Sequence, residues 1–158
     1  MAKEDKTNVM RVLDQKKVPY KHFAYEQDPS KSGEEIAGIL KEAPDRVFKT
    51  LVTEGKSGEP YVFVIPVNRE LDLKKAAKAV SEKAISMIPQ KELLPLTGYV
   101  HGGCSPIGMK KFFTTTVHES AEDFDTIFFS AGKVGYQVEV APEDLAKVIR
   151  FRFADVCG

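Results

Sequence analysis

The segment "RVFKTLVTEGKSGEPYVFVIPV", residues 46–67, carries the strongest strand signal in the chain. Two apolar runs, residues 46–54 and 60–67, are rich in valine, phenylalanine and other strand-forming residues. The tetrapeptide GKSG, residues 55–58, lies between them. Two such runs on either side of a short glycine-containing turn predict a β-hairpin.

Lys49 interrupts the first of these strands. Because side chains alternate along a strand, Val47, Lys49 and Leu51 are expected on one face, and Phe48 and Thr50 on the other. A lysine among apolar neighbours can extend its ammonium to water at the edge of a sheet. It can also lie beside a site that requires a cation. The residues alone favour the first interpretation.

The rest of the chain predicts helices between groups of strands. Apolar residues at helical spacing, Val9 to Leu13, predict a first helix with Thr7 or Asn8 as its N-cap. This order predicts a single α/β or α+β domain around a mixed, curved sheet. Further helices are predicted in residues 34–43, 71–80, 90–98 (broken by Pro95) and 141–149, a loop in 26–33, and further strands in 18–25, 83–89, 99–103, 112–119, 126–132 and 134–140.

The overall composition limits the range of partners and compartments. The chain has 23 basic and 23 acidic side chains and a formal net charge of zero, which argues against binding to nucleic acid through bulk charge. No apolar run suits a signal peptide or a membrane span, so a cytoplasmic protein without membrane contact is expected. The two cysteines, Cys104 and Cys157, lack metal-ligand spacing and are expected to be reduced thiols.

The segment "GGCSPIG", residues 102–108, is the most unusual stretch. Its paired glycines allow another molecule to approach the backbone closely, and Pro106 makes the turn rigid. A rigid turn with exposed N–H groups can bind a carbonyl or carboxylate oxygen. A plain tight turn is the alternative, but three glycines and a proline in seven residues exceed what a turn requires. The similar segment "FFSAGKVG", residues 128–135, predicts only a hairpin turn by itself.

Candidates for other chemistry are weaker. His101 and Cys104 could form a base and nucleophile pair, but no Asp or Asn is placed to orient the histidine. The pattern therefore favours structural roles for both. Lysines that most often form a solvated surface, but could contact phosphate near a site, are Lys74, Lys75, Lys78, Lys110 and Lys111.

Five segments together resemble the YbaK/EbsC family of bacterial Cys-tRNA(Pro) deacylases, which is related to the editing insertion of bacterial prolyl-tRNA synthetases. They occur in the family order, from about Met10 to Val156. The resemblance implies one editing domain over residues 1–158, with a mixed, six- to seven-stranded barrel-like sheet flanked by helices. The five segments are "FAYEQDP", "PDRVFKTLV", "LDLKKAAKAV", "TGYVHGGCSPIGMKK" and "IFFSAGKVG".

The resemblance also implies a site between the lysine strand, the glycine-proline loop and the serine-glycine turn. Lys49 matches the essential lysine of the family and is the expected catalytic residue. The resemblance therefore replaces the interpretation of Lys49 as a solvated residue at a sheet edge. The expected substrate-binding residues are Tyr25, Thr50, Gly102, Gly103, Ser105, Pro106, Gly108, Ser130, Gly132 and Gln137.

The function that the resemblance implies is trans-editing, the deacylation of mischarged Cys-tRNA(Pro), with Cys-tRNA(Cys) as a further candidate. The thiol of the substrate would attack its own ester, so no metal, cofactor or enzyme nucleophile is expected. The expected partners are the 3′ end of the aminoacyl-tRNA and, transiently, prolyl-tRNA synthetase. Two other functions stay open: deacylation of another tRNA such as Ala-tRNA(Pro), and non-catalytic binding of an aminoacyl-tRNA or a synthetase.

Two features depart from the family pattern. The loop after Pro29 is short, and Ser32 lies near a position that carries phenylalanine in other members. Gln137 stands where some members carry aspartate. Both departures concern the substrate range more than the reaction type.

Overall fold

The computed structural model describes residues 6–28 and 30–158, and within them the chain forms five α-helices and eight β-strands. The predicted loop 26–33 includes Pro29, which lies outside the described residues. The helices are α1 Asn8–Gln15, α2 Gly33–Leu40, α3 Leu73–Ala79, α4 Leu93–Thr97 and α5 Pro142–Leu145. The strands are β1 Lys21–Ala24, β2 Phe48–Gly55, β3 Pro60–Pro66, β4 Ile85–Met87, β5 Thr114–His118, β6 Ile127–Ser130, β7 Tyr136–Val140 and β8 Arg152–Ala154.

The predicted hairpin is confirmed as the antiparallel pair β2 and β3, in which Lys49 lies opposite Ile65. Phe48 belongs to the main core, whereas Leu51 and Ile65 pack in a second apolar cluster on the other face of the sheet. Directly opposed residues of two strands share a face. Lys49 therefore lies on the Leu51 side among apolar neighbours, as the alternation predicts.

The strands form two sheets. The larger has the order β4-β2-β3-β5-β8 and the smaller the order β1-β7-β6. The larger sheet is mixed, because β5 pairs in parallel with both β3 and β8. The predicted mixed α/β class is confirmed, but eight strands in two sheets replace the single six- to seven-stranded sheet, and no closed barrel forms.

Strand β2 explains why the structure stays open. Its last residues, Thr53–Gly55, pair with β4, and Val47, just before β2, forms a parallel bridge to Phe128 of β6. Between these two points, the edge of β2 opposite β3 has no strand partner in the described part of the chain. Because a strand edge without a partner leaves backbone N–H and C=O groups available, this gap is a suitable place for a ligand.

The main core joins the two sheets and α1. Val62 and Val64 of the larger sheet, Phe129 and Val138 of the smaller sheet and Leu13 of α1 are all fully buried in it. Burial of such side chains stabilises the fold by about 1.5–3 kcal/mol each relative to full exposure. The core therefore holds β2 and β6 at a constant distance on either side of the gap.

Arg46 fixes the start of β2 against β6. Its Nε donates a hydrogen bond of 3.2 Å to the carbonyl of Thr126, and its Nη1 lies 3.1 Å from Glu42. The guanidinium also lies 5.3 Å from the ring centre of Phe128. Because both the segment after α2 and the β6 region contact this one half-buried side chain, the start of β2 is held in place next to the gap.

Several predicted elements differ from the structure. Helix α4 continues through Pro95, because that proline lies in the first turn, where a backbone N–H has no intrahelical partner. Residues 99–103 form a turn instead of a strand, since Gly98 and Gly102 have φ angles of +88° and +87°. The last helix is only four residues long, and the short parallel strand β8 was not predicted.

Candidate active site

A cavity of about 250 Å³ opens at the unpaired edge of β2. Five of the predicted site residues line it: Lys49, Thr50, Gly102, Ser130 and Gln137. They come from β2, from the glycine loop (residues 102–108) and from β6 and β7, so three distant parts of the chain meet here. The cavity is smaller than the roughly 300–1,000 Å³ typical of sites for drug-sized ligands, and it therefore suits a small ligand.

The charge of the cavity is positive. Lys49 is half-buried at the wall, and Lys31, from the segment before α2, also lines it. Lys31 lies 3.9 Å from the carboxylate of Glu26, outside the lining. No carboxylate is present among the described lining residues, so the Lys49 ammonium is available to an anion or to a polarised carbonyl oxygen of a ligand.

Two buried polar atoms in the lining have no partner. The side-chain Oγ1 of Thr50 and the Oε1 of Gln137 make no hydrogen bond to any described residue. Gln137 is only 5% exposed. A buried polar atom without a partner costs about 1–3 kcal/mol, so these atoms are suited to bind polar groups of a ligand. Gln137 Oε1 can only accept a hydrogen bond, and the Thr50 hydroxyl can donate or accept one.

The glycine loop contacts the second loop (residues 130–135) at Gly103. A Cβ at Gly103 would lie 3.1 Å from the backbone nitrogen of Val134 and 3.3 Å from the carbonyl carbon of Lys133. A larger residue would therefore push the two loops apart. Gly103 does not line the cavity but allows Gly102 and Ser130 to reach it from both loops.

Other predicted residues of the glycine loop shape the loop rather than the cavity wall. Ser105 is fully buried, and its Oγ accepts a hydrogen bond of 3.3 Å from the backbone N–H of Ile107. The phenol of Tyr99 donates to the carbonyl of Ile107. Pro106 and Gly108 face away from the cavity and line a second cleft on the other side of the loop.

The second loop begins with the serine that was predicted to bind substrate. Ser130 lines the cavity, and its Oγ accepts a hydrogen bond of 3.1 Å from the N–H of Gly132. Gly132 itself lies behind the wall, against Val9 and Tyr99. Gly132 was predicted to bind substrate, but in the structure it does not line the cavity and instead supports Ser130 through this hydrogen bond.

Tyr25 lies beside the cavity and contacts it through Gln137. The Nε2 of Gln137 donates to the phenol oxygen of Tyr25 over 3.4 Å. Desolvation by burial raises the pKa of Tyr25, so the phenol stays protonated at neutral pH. This hydrogen bond uses the Nε2 of Gln137 and orients its amide, so the Oε1 remains available to accept a hydrogen bond from a ligand.

Cys104 and His101 also line the cavity. Burial raises the pKa of the Cys104 thiol to about 12, so the thiolate is scarce at neutral pH. Within the described chain, neither His101 nor a cation is among the causes that act on the pKa of Cys104. A thiol acts as a nucleophile only when its pKa is lowered by a base or a cation. Cys104 is therefore not an activated nucleophile in this structure.

Sequence reasoning missed several residues of the cavity wall. Lys31 and Ser32 precede α2, Ile36 lies on it, and Leu93 opens α4. The capping box of α2, in which Ser32 and Glu35 exchange hydrogen bonds, places this segment at the cavity. The pattern S-x-x-E was the available signal for a helix start here, but it carries no information on what the helix faces.

The lysines predicted as phosphate contacts lie in two places. Lys110 and Lys111 line the cleft behind the glycine loop. Lys75 of α3 is bound by the C-terminal segment, through Asp155 at 3.0 Å and the carbonyl of Cys157 at 2.9 Å. Lys74 and Lys78 are exposed on the same helix.

Substitution of Gly132 by alanine is expected to destabilise the protein by about 1–3 kcal/mol. Gly132 has a φ of +91°, and an added Cβ would lie 2.9 Å from Val9 Cγ2 and 3.0 Å from Tyr99 Cε1. The matched control is Gly38→Ala in α2, where a Cβ would have no neighbour within 4 Å and should stabilise the helix by about 0.5–1 kcal/mol. Urea unfolding of both variants measures this difference. Equal stability of the Gly132→Ala variant and the original protein would contradict the role given to Gly132.

Within the described residues, no group of three or more histidine, cysteine, aspartate or glutamate side chains is arranged to hold a metal ion. The helices in the same part of the chain include none with the length and hydropathy of a membrane span.

Comparison with known protein sequences gives two matches. The sequence profile of the aminoacyl-tRNA editing domain matches residues 27–148. EbsC of Enterococcus faecalis (strain ATCC 700802 / V583), provisionally named a Cys-tRNA(Pro)/Cys-tRNA(Cys) deacylase, is 48% identical over 155 residues, which are 97% of this chain and 94% of EbsC.

Two solved structures share the fold. One, provisionally described as a trans-editing enzyme for prolyl tRNA synthetase, has a TM-score of 0.81 at 20% identity and covers 95% of this chain and 94% of its own. The other, the hypothetical protein APE2540, has a TM-score of 0.83 at 20% identity, and the match covers 95% of this chain and 99% of APE2540. At this identity, the two structures support the fold alone.

Proposed function

The chain belongs to the aminoacyl-tRNA editing domain family, as a member of its YbaK/EbsC branch, and we propose that it deacylates mischarged Cys-tRNA(Pro) in trans. Cys-tRNA(Cys) is the second proposed substrate, because the name of EbsC includes both. We also propose that residues 1–158 act as one editing domain, with Lys49 as its catalytic residue.

One observation carries the proposal. Among its described lining residues, the cavity combines a cation without a paired carboxylate, Lys49, with the two unpartnered polar atoms of Thr50 and Gln137, whereas the lining thiol of Cys104 is not activated. An esterase that attacks with its own side chain needs a nucleophile next to a base. A site that only orients the substrate and stabilises charge suits a substrate that carries its own nucleophile.

The proposed reaction uses the thiol of the cysteinyl group. Its sulfur attacks the ester carbonyl, a bond forms between sulfur and the carbonyl carbon, and the bond from that carbon to the ribose oxygen breaks. The proton lost by the thiol is taken up by the ribose oxygen as the tRNA leaves. The released cyclic thioester then adds water to give free cysteine.

Each side chain has a proposed role in this reaction. The Lys49 ammonium stabilises the negative charge that develops on the carbonyl oxygen. Gln137 Oε1 accepts a hydrogen bond from the α-amino group, and the Thr50 hydroxyl binds the ribose or the carbonyl. Gly102 and Ser130 form the wall against which the thiol is held close to the carbonyl. Proximity of this kind is a large source of rate acceleration.

The need for such an activity follows from the limits of binding selectivity. A hydrophobic pocket discriminates between ligands that differ by about one methylene group by only ~10–200-fold. Cysteine is close to proline in size, so a synthetase that activates proline also activates cysteine. A second site that cleaves the wrong ester restores accuracy.

The direct test is release of free tRNA from Cys-tRNA(Pro) by the purified protein. Multiple turnovers are expected, and Ala-tRNA(Pro) should be cleaved far more slowly. Rapid cleavage of Ala-tRNA(Pro) with slow cleavage of Cys-tRNA(Pro) would favour an alanine-specific deacylase. Binding of both without cleavage would favour the non-catalytic module.

Substitution of Cys104 by alanine is expected to leave most of the deacylase activity. The raised pKa of about 12 keeps the thiol protonated at neutral pH, so the variant loses only packing within the loop. Single-turnover rates of the Cys104→Ala and Cys104→Ser variants measure the effect. An inactive variant that still binds substrate, or a covalent aminoacyl adduct on Cys104, would contradict it.

Selectivity for tRNA(Pro) is proposed to require prolyl-tRNA synthetase as a transient partner. The formal net charge of zero supports this, because tRNA affinity depends on neutralisation of phosphates by Lys and Arg. Binding of uncharged tRNA(Pro) and tRNA(Cys) at near-physiological salt should be weak and similar without the synthetase. With the synthetase present, tRNA(Pro) should be preferred. Tight and selective binding of tRNA(Pro) by the isolated protein would argue against the partner.

A further inference from the structure

A second cleft of about 500 Å³ lies on the far side of the glycine loop. Pro106 and Gly108 of that loop form one side of it, and Lys110, Lys111 and Phe112 follow directly in the chain. Arg150, after α5, closes the other side. We refer to this feature as the basic cleft.

The charge of the basic cleft is uncompensated. Lys110, Lys111 and Arg150 line it, and none of its described lining residues is a carboxylate. The Nζ of Lys110 contacts only the carbonyl of Pro95, at 3.4 Å. No ion pair of Lys111 or Arg150 is formed within residues 6–28 and 30–158. The depression holds three cations, none of which is paired with a carboxylate among the described residues, and in a chain with zero net charge this favours a polyanionic ligand.

Phe112 adds an aromatic surface to these charges. Its side chain is 66% exposed, more than any other large apolar side chain that the structure describes. The guanidinium of Arg150 lies 6.0 Å from its ring centre, within the range of a cation–π contact. A positively charged groove with an exposed aromatic ring is the combination that binds single-stranded nucleic acid, because the cations follow the backbone while bases stack on the ring.

The basic cleft and the candidate active site are both lined by residues of the glycine loop. Cys104 lines the active-site cavity, and Pro106, two residues later, lines the cleft. Two residues of extended chain span at most about 7 Å. The cavity and the cleft therefore lie on opposite sides of one short loop, and a nucleotide chain whose terminal ester enters the cavity passes this loop to reach the cleft.

We propose that the basic cleft binds the single-stranded 3′ end of the tRNA, with one base stacked on Phe112 and the backbone phosphates at Lys111 and Arg150. The proposal rests on the proposed function for the identity of the RNA, but the cleft itself can be tested without catalysis. The proposal gives Phe112 and Arg150 a role in RNA binding, although neither residue was among the site residues that the sequence predicted.

The test is binding of a fluorescently labelled, uncharged single-stranded RNA with the 3′-terminal sequence of tRNA, at several salt concentrations. Phe112→Leu keeps an apolar side chain but removes the ring and should weaken binding about tenfold, whereas Phe112→Trp should retain it. Lys111→Ala should weaken binding and reduce the slope of log affinity against log salt by about 0.7.

Lys56→Ala, in the exposed turn between β2 and β3, is the matched control and should change neither the affinity nor the salt slope. Because Phe112 is exposed, thermal unfolding of its variants should match that of the original protein.

A kinetic measurement separates this proposal from the proposed function. Phe112→Leu and Lys111→Ala should raise KM for Cys-tRNA(Pro) about tenfold and leave kcat unchanged. Weakened RNA binding by these variants supports the cleft even if the original protein cleaves no aminoacyl-tRNA. Unchanged RNA binding by both variants overturns the cleft even if the protein is an active deacylase. A defect that appears only when prolyl-tRNA synthetase is present also overturns it, since the occupant would then be a protein.

Discussion

Replacement of Lys49 by alanine is expected to lower kcat for Cys-tRNA(Pro) about 100- to 1000-fold, the usual loss when one group that stabilises a developing oxyanion is removed. Lys49 is the cation of β2 in the cavity wall, and no described carboxylate of the lining competes for it. Its charge acts where the surroundings are partly desolvated, which strengthens its interaction with the carbonyl oxygen.

Three control variants identify the cause of the loss. Lys49→Met keeps the alkyl packing beside Leu51 and Ile65 but removes the charge, and should be as inactive as the alanine variant. Lys49→Arg keeps the charge but changes its shape and hydrogen-bond geometry, and should also be poor. Lys56→Ala removes an exposed lysine of the adjacent turn and should be fully active. Single-turnover rates, with circular dichroism as a check on folding, distinguish these cases; near-normal turnover by Lys49→Ala would rule out the assignment.

Replacement of the substrate thiol by a hydroxyl is expected to have an effect of similar size. Ser-tRNA(Pro) should be cleaved at least about 100-fold more slowly than Cys-tRNA(Pro), since a thiol is partly ionised and intrinsically nucleophilic near pH 7 whereas a hydroxyl is not. Ala-tRNA(Pro), which has no nucleophile in its side chain, should be cleaved as slowly or more slowly. The same tRNA should be used throughout, so that only the side chain differs.

The pH dependence provides an independent measurement. The rate with Cys-tRNA(Pro) should rise as pH approaches about 8.5, the ordinary pKa of a cysteine thiol, because the fraction of thiolate increases. The pKa of Cys104 is raised to about 12, so this residue stays protonated over that range and contributes no such rise. Detection of the cyclic thioester as the first product would support substrate attack. Equal enzymatic rates for Cys-tRNA(Pro) and Ser-tRNA(Pro), or an enzymatic rise in rate that persists with Ala-tRNA(Pro), would exclude it once the spontaneous ester hydrolysis, which also rises with pH, is subtracted.

Much of the fold could be predicted from local sequence. The hairpin of β2 and β3 followed from two apolar runs around a glycine-containing turn. Helix α1 followed from apolar spacing and a capping residue, and α2 from the acidic residues in its first turn. These features depend on residues that are neighbours in the chain. Backbone sterics, capping and the alternation of side chains act between such neighbours. The short strand β8 was not predictable in this way, because it pairs with a strand more than 30 residues away.

The features of the candidate site can also be separated into those that local sequence determines and those that depend on distant segments. The sequence by itself determined that Lys49 lies on the same face as Leu51 and that residues 102–108 form a glycine-rich turn, since alternation and φ preferences are local.

Only the tertiary structure decided what these segments do together. It leaves the middle of one edge of β2 without a strand partner in the described chain and brings Gly102, Ser130 and Gln137 to that edge, while Pro106 lines the basic cleft. It also leaves the Gln137 oxygen without a partner and raises the pKa of Cys104. The physical reason is that burial and hydrogen-bond partners at one residue are set by segments far away in the chain, whose positions depend on how the two sheets pack around a shared core.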